Sequence, residues 1–188
     1  MRDGSRTKQK IAEVALVLFV DKGVAETSIR DIARGAEIAE GALYRHYASK
    51  DDLAWRLFAD SYVALARMLD DLQARQAGFR GKIEVLVRQF CQAFDDNPVL
   101  FSYLLLTQHD QIKKLSAEMP SPIRVVHRVI AEGLARQAGD KRNPDVVAAM
   151  VMGVVMQVAV ELMYGRIAGR LTDQAELLID ACWRIIQA

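Results

Sequence analysis

Apolar positions recur at three- and four-residue spacing from one end of this 188-residue chain to the other, and no stretch of useful length alternates apolar with polar. The pattern predicts an all-α fold, with helices over 5–22, 28–36, 40–47, 50–77, 81–95, 98–116, 121–138, 144–168 and 173–187. Breaks fall at Gly23, at the 37–39 turn, at Gly78–Gly81 and at Pro120-Ser121-Pro122. Asn97-Pro98 and Asn143-Pro144 each place a capping side chain before a proline at the first helical position, a strong start signal. There are no internal repeats and no low-complexity segments.

The most informative stretch is 27–53. Ser28 is a helix N-cap with Asp31 three residues on, close to a capping box, and Ile29, Ile32 and Ala33 give the spacing of a packed helix. Glu37-Ile38-Ala39 then separates this helix from a second one beginning near Glu40. Two short helices joined by a three- or four-residue turn form a helix-turn-helix, whose second helix enters the DNA major groove. That helix carries Tyr44, Arg45, His46 and Tyr47, and Ser49 with Asp52 caps the next one at once.

Residues 5–58 resemble the N-terminal DNA-binding domain of TetR-family transcriptional regulators. The resemblance rests on Ile11, Ala15, Phe19 and Gly23, on Thr27-Ser28 and Ile32-Ala33, and on Gly41-Ala42-Leu43-Tyr44-Arg45-His46-Tyr47 with Ser49-Lys50 and Leu53. It implies a three-helix DNA-binding domain over 1–50 and a larger helical effector-binding and dimerisation domain over 51–188. It further implies a dimeric regulator, a repressor that grips palindromic double-stranded DNA and is released by a small-molecule effector. In that reading Tyr44, Lys50 and Thr27 or Ser28 meet phosphates. Arg45 reads guanine bidentately, His46 reaches a phosphate or a base edge, and Gly41 and Ala42 let the helix approach closely. Three positions depart from the family pattern: Glu37 where the turn usually has Gly, Ala39 where the reading helix usually has a Ser cap, and Glu40 near the DNA backbone. Those departures define an alternative, a dimeric helical small-molecule-binding or interaction protein with weakened DNA binding.

Val146 to Val160 is nearly all apolar and is broken only by Gln157. The run is shorter than the ~20 residues a membrane span needs, so burial on every face is expected. One face suits the domain's own core. The other, with Leu178, Ala181 and Ile185 of the last helix, suits a homodimeric four-helix bundle through the last two helices. An effector pocket is expected among the helices of 81–168, lined by Phe90, Phe94, Phe101, Tyr103, Met152 and Met156. Gln157, Glu161, His109 and His127 are its candidate polar groups.

Composition narrows this little. Half the chain is apolar (52 %), which supports a real core, and the net charge is only +1. The single basic cluster is the arm Arg2, Arg6, Lys8 and Lys10, read either as solvated or as a backbone contact. Residues 1–10 are polar with no apolar signal segment behind them, so a cytoplasmic protein is expected. The two cysteines, Cys91 and Cys182, sit among apolar helical residues and read as buried free thiols. No phosphate-cradling loop, nucleophile elbow or metal-ligand spacing is present, so neither enzyme chemistry, cofactor nor metal is expected.

Overall fold

The computed structural model describes residues 2–137 and 139–188, with side chains from Gly4 onward apart from Ala138. The side chain of Arg2 in the basic arm, and Ala138 at the end of the expected 121–138 helix, therefore lie outside the described residues. Among these, nine α-helices and two 3-10 turns account for the regular structure, without a strand. The helices are α1 (Arg2–Glu26), α2 (Ile29–Gly35), α3 (Glu40–Tyr44), α4 (Lys50–Ala74), α5 (Phe79–Asp96), α6 (Pro98–Gln111), α7 (Pro122–Ala135), α8 (Pro144–Met163) and α9 (Ala175–Gln187).

The chain forms two compact units. One comprises Met1–Ser61 with Val99–Ala117, the other Tyr62–Pro98 with Glu118–Ala188. In the first unit, Ile11, Ala15 and Phe19 of α1 are buried together with Ile32, Leu43, Leu53 and Phe58. Tyr103 of α6 is fully buried in the same unit, its ring stacked on Phe19 at 5.8 Å. Its hydroxyl donates to the Ala54 carbonyl at 2.7 Å, which satisfies the one polar atom of that side chain. The expected break at Gly23 is a kink within α1, where φ is 82°.

The second unit packs α5, α7, α8 and α9. Gly133 of α7 is required by contact, since a Cβ there would lie 2.3 Å from the Phe79 ring. That ring meets Trp183 of α9 edge-on at 5.7 Å. Two polar devices fasten the 3-10 turn Leu171–Gln174 that leads into α9 and the end of α9 itself. The Asp95 carboxylate accepts from the Leu171 and Thr172 backbone N–H groups, each at 2.9 Å, and from the Thr172 hydroxyl. Arg142 donates to the Ile185 and Ile186 carbonyls, which a helix end leaves without intrahelical partners. Cys91 and Cys182 are both buried and free, as expected, and burial pushes each thiol up to about 11.

Several helix ends differ from the periodicity. The reading helix was expected over 40–47 but its regular part ends at Tyr44. Helix α8 stops at Met163 rather than 168, because Gly165 takes φ 68° and turns the chain back. Its N–H then donates to the Leu162 carbonyl and that of Arg166 to Glu161, both at 2.9 Å, closing the helix end.

Helix α8 is twenty residues long with a mean hydropathy of 2.2, enough by length and composition alone to cross a membrane. Its Val147, Ala148, Val151, Val155 and Ala159 are buried within the second unit, as a core helix requires. The opposite stripe is bare, with Val146 55 % and Met150 51 % exposed. On α9 the residue at the surface is Leu177, 69 % exposed, whereas Leu178 points into its own core. The expected outward set of Leu178, Ala181 and Ile185 is corrected at its first member.

Candidate functional site

Helix α2 is closed at its start by a reciprocal box. The Ser28 hydroxyl accepts from the Asp31 N–H at 3.1 Å, and the Asp31 carboxylate accepts from the Ser28 N–H and hydroxyl. Those hydrogen bonds hold the Asp31 carboxyl below the usual range. Ser28 is therefore the N-cap, and Thr27 is buried with its hydroxyl donating to the Gly23 carbonyl at 2.8 Å and the Leu18 carbonyl at 3.2 Å. The Thr27 side chain is thus turned inward, away from any phosphate.

Helix α3 starts differently. Ala39 stands at its N-cap and supplies no side-chain hydrogen bond. Leu43 is the helix's buried anchor, and the His46 and Tyr47 N–H groups both donate to its carbonyl, carrying the turn past the regular helix. The other face is open. Tyr44 is 54 % exposed, Arg45 and Gly41 are exposed, and a Cβ at Gly41 would meet nothing within 4 Å. Ala42 and His46 are half-buried, with His46 lying beside Gly4 of the arm. Glu40, Gly41, Tyr44 and Arg45 thus form one outward surface, the arrangement a major-groove reader needs.

Glu37 is the one non-glycine residue at positive φ (56°) among the described residues. Its carboxylate accepts from Lys10 of α1, which holds it below the usual carboxylate range. The arm is helical, and Lys8 lies over the Tyr47 ring at 5.9 Å. Lys50 donates to the Ala25 carbonyl at 2.8 Å, tying the start of α4 to the end of α1. Sequence reasoning passed over Arg30, whose Nε lies 3.7 Å from a Glu40 oxygen. Ten residues of separation across the turn gave no periodic signal for that pair.

The expected effector residues divide between the two units. Phe101, Tyr103 and His109 belong to the first, where Phe101 and Tyr103 are buried and His109 is exposed on the last turn of α6. Phe90, Phe94, His127, Met152, Met156, Gln157 and Glu161 belong to the second. There Phe94 is buried, Phe90, Met152 and Met156 are half-buried, and Gln157 is exposed. Gln157 donates to Glu161 at 2.8 Å, and Glu161 also accepts from Arg166 at 3.1 Å. His127 is paired instead with Asp145 at 2.8 Å, in the first turn of α8. A polar residue the periodicity did not single out is Gln73, 5 % exposed in α4. Its amide N–H donates to Asp70, and its Oε1 has no hydrogen-bond partner among the described residues.

Residues 11–57 match the family model described as bacterial regulatory proteins, tetR family. A Mycobacterium tuberculosis protein named as the mycofactocin biosynthesis transcriptional regulator MftR is 30 % identical over 158 residues, 82 % of this chain and 79 % of that one. The HTH-type transcriptional repressor KstR2 of the same species is 33 % identical over 91 residues, 44 % of this chain and 46 % of its own. Among solved structures, the fatty acid degradation regulator FadR from Bacillus halodurans superposes with a TM-score of 0.78 at 14 % identity, covering 94 % of both chains.

Proposed function

Since the chain belongs to the tetR family of bacterial regulatory proteins, we propose that it is a repressor that holds a palindromic operator as a homodimer and releases it on binding a small molecule. It is a DNA-binding transcriptional regulator of helix-turn-helix type. The observation that carries the operator-binding reading is the outward surface of Gly41, Tyr44 and Arg45 beside the buried anchor Leu43. Arg45 bonds guanine O6 and N7, Tyr44 meets a phosphate, Ser28 does so only by releasing a donor from Asp31, and His46 lies at the edge of the same surface. The Lys50 ammonium spends one of its three donors on the Ala25 carbonyl and keeps the others for a phosphate.

Dimerisation through α8 and α9 is supported by the bare apolar stripe of Val146 and Met150 with Leu177. A second copy that covers this stripe removes apolar area from water at about 25 cal/mol per Å2. Two reading helices related by a two-fold axis then meet major grooves about 34 Å apart. The effector half is the second unit, where Met152, Met156, Phe90 and Phe94 offer apolar contact. Gln73 Oε1 there offers an acceptor to a donor group on the effector.

The test is selection of genomic fragments by the purified protein at several salt concentrations. A palindrome is enriched, and Arg45→Ala lowers its affinity by about 5- to 150-fold, since a bidentate guanine contact contributes about 1–3 kcal/mol of discrimination. Weak binding with a steep salt slope and no enriched sequence would favour a helical binding protein whose helix-turn-helix has lost its operator.

A further inference from the structure

Resting on the operator-binding reading, we infer that Arg30 and Glu40 act together as the reader of one C·G base pair in each half-site, Glu40 accepting from cytosine N4 and Arg30 donating to the paired guanine. Glu40 is the first residue of α3, the end of a recognition helix that comes nearest the base edges. Its side chain is 52 % exposed, so it is available to a partner arriving from outside. An ionised carboxylate has acceptors only, and phosphate oxygens are acceptors as well. The major groove offers it a donor in two places, the amino groups of cytosine and of adenine. At adenine the neighbouring N7 is an acceptor that would face the carboxylate, so cytosine is the better match.

Arg30 supplies what the carboxylate lacks. It lies in the first turn of α2, 83 % exposed, with Nε 3.7 Å from a Glu40 oxygen. In water such a pair contributes little. Against a base pair, where solvent is displaced, the same charge offsets the unfavourable approach of a carboxylate to DNA. With Nε turned toward Glu40 at ion-pair distance, the outer N–H groups of the guanidinium are left to meet guanine O6 and N7, acceptors on the base that cytosine pairs with. Donor and acceptor of the protein pair thus match acceptor and donor of the base pair, and both side chains have a use that neither has alone. Glu40 also ceases to be a simple handicap to DNA binding.

The experiment is selection from randomised palindromic half-sites with the full chain, its Glu40→Gln, Arg30→Ala and Arg30→Lys variants, and matched thermal unfolding curves. The expected wild-type result is one C·G position per half-site that depends on this pair. Glu40→Gln, whose amide matches adenine N6 and N7, moves the preference there to adenine and lowers affinity for the wild-type sequence by about tenfold. Arg30→Ala flattens the preference at that position, whereas Arg30→Lys, which keeps the charge beside Glu40, retains cytosine. The inference is overturned if Glu40→Gln strengthens binding to every sequence alike and leaves the enriched site unchanged, since the carboxylate would then only repel phosphate. It is also overturned if the wild-type chain enriches no sequence, an outcome that removes the operator reading with it. An enriched palindrome indifferent to Glu40 and Arg30 leaves the operator reading standing and removes this pair alone.

Discussion

Helices α2 and α3 lie side by side in the chain and are stabilised by opposite means. Helix α2 closes its own start with Ser28 and Asp31, buries Ile32 and Ala33, and has its last-turn Arg34 paired back to Asp31. Helix α3 has no side-chain cap, a single buried residue, and only five residues of regular backbone. The first is complete in itself, and the second depends on the burial of Leu43 and on the turn that follows. A helix whose side chains must stay available to DNA cannot also use them to hold itself together. Its neighbour α2 is joined to it by a turn in which the Ile38 N–H donates to the Ala33 carbonyl at 3.0 Å.

The contrast breaks most decisively at Leu43. Leu43→Ala removes the anchor of α3 and should cost about 2–5 kcal/mol in urea unfolding. A loss below about 1 kcal/mol would mean that charge pairs rather than burial hold the reading helix. Ser28→Ala tests the other side and should cost about 1 kcal/mol, the usual worth of an N-cap. The same variant sharpens the pH dependence. The native Asp31 carboxyl sits below its ordinary value of 3.8, so its contribution is present above that pH and is lost as acidity passes through the lowered value. Stability measured between pH 5 and 2 should therefore fall less steeply in Ser28→Ala than in the wild type. The smallest effect is at the turn. Glu37→Gly relieves a left-handed backbone position and gives up an exposed ion pair with Lys10, so Tm should rise slightly. A fall in Tm would show that the Lys10 contact outweighs the strain.

Where local chemistry decides, the sequence is a good guide. Ser28 caps α2 with Asp31, Asn143 caps α8 ahead of Pro144, α6 begins at Pro98, and Gly23 marks the kink. Each of these is determined by residues within a turn of one another. The start of the reading helix was legible from the turn before it, whereas its end at Tyr44 and the inward turn of Thr27 were not. The helix faces of the second unit offer no such local signal. Helix α8 is apolar on every side, so no periodicity distinguishes its inner face from its bare one. On α9 two adjacent leucines, Leu177 and Leu178, face opposite ways, and only packing chooses between them. Contacts such as Tyr103 to Ala54, Arg142 to the end of α9 and Arg30 to Glu40 join residues that the chain separates by ten to fifty positions. They depend on the finished fold and leave no local trace.

The two thiols of the chain turn one unit into its own clock. Cys91 and Cys182 both lie in the second unit, are fully buried, and are held protonated at neutral pH by that burial. An alkylating reagent needs a thiolate it can reach, and the folded state withholds both access and ionisation. Modification therefore proceeds only during transient opening, and its rate counts those openings with the native thiols alone. The first unit contains no cysteine, so the count is blind to motions of the DNA-reading half. A small molecule that slows the clock binds the closed second unit more tightly than the opened one, and one that leaves it untouched binds both alike or not at all.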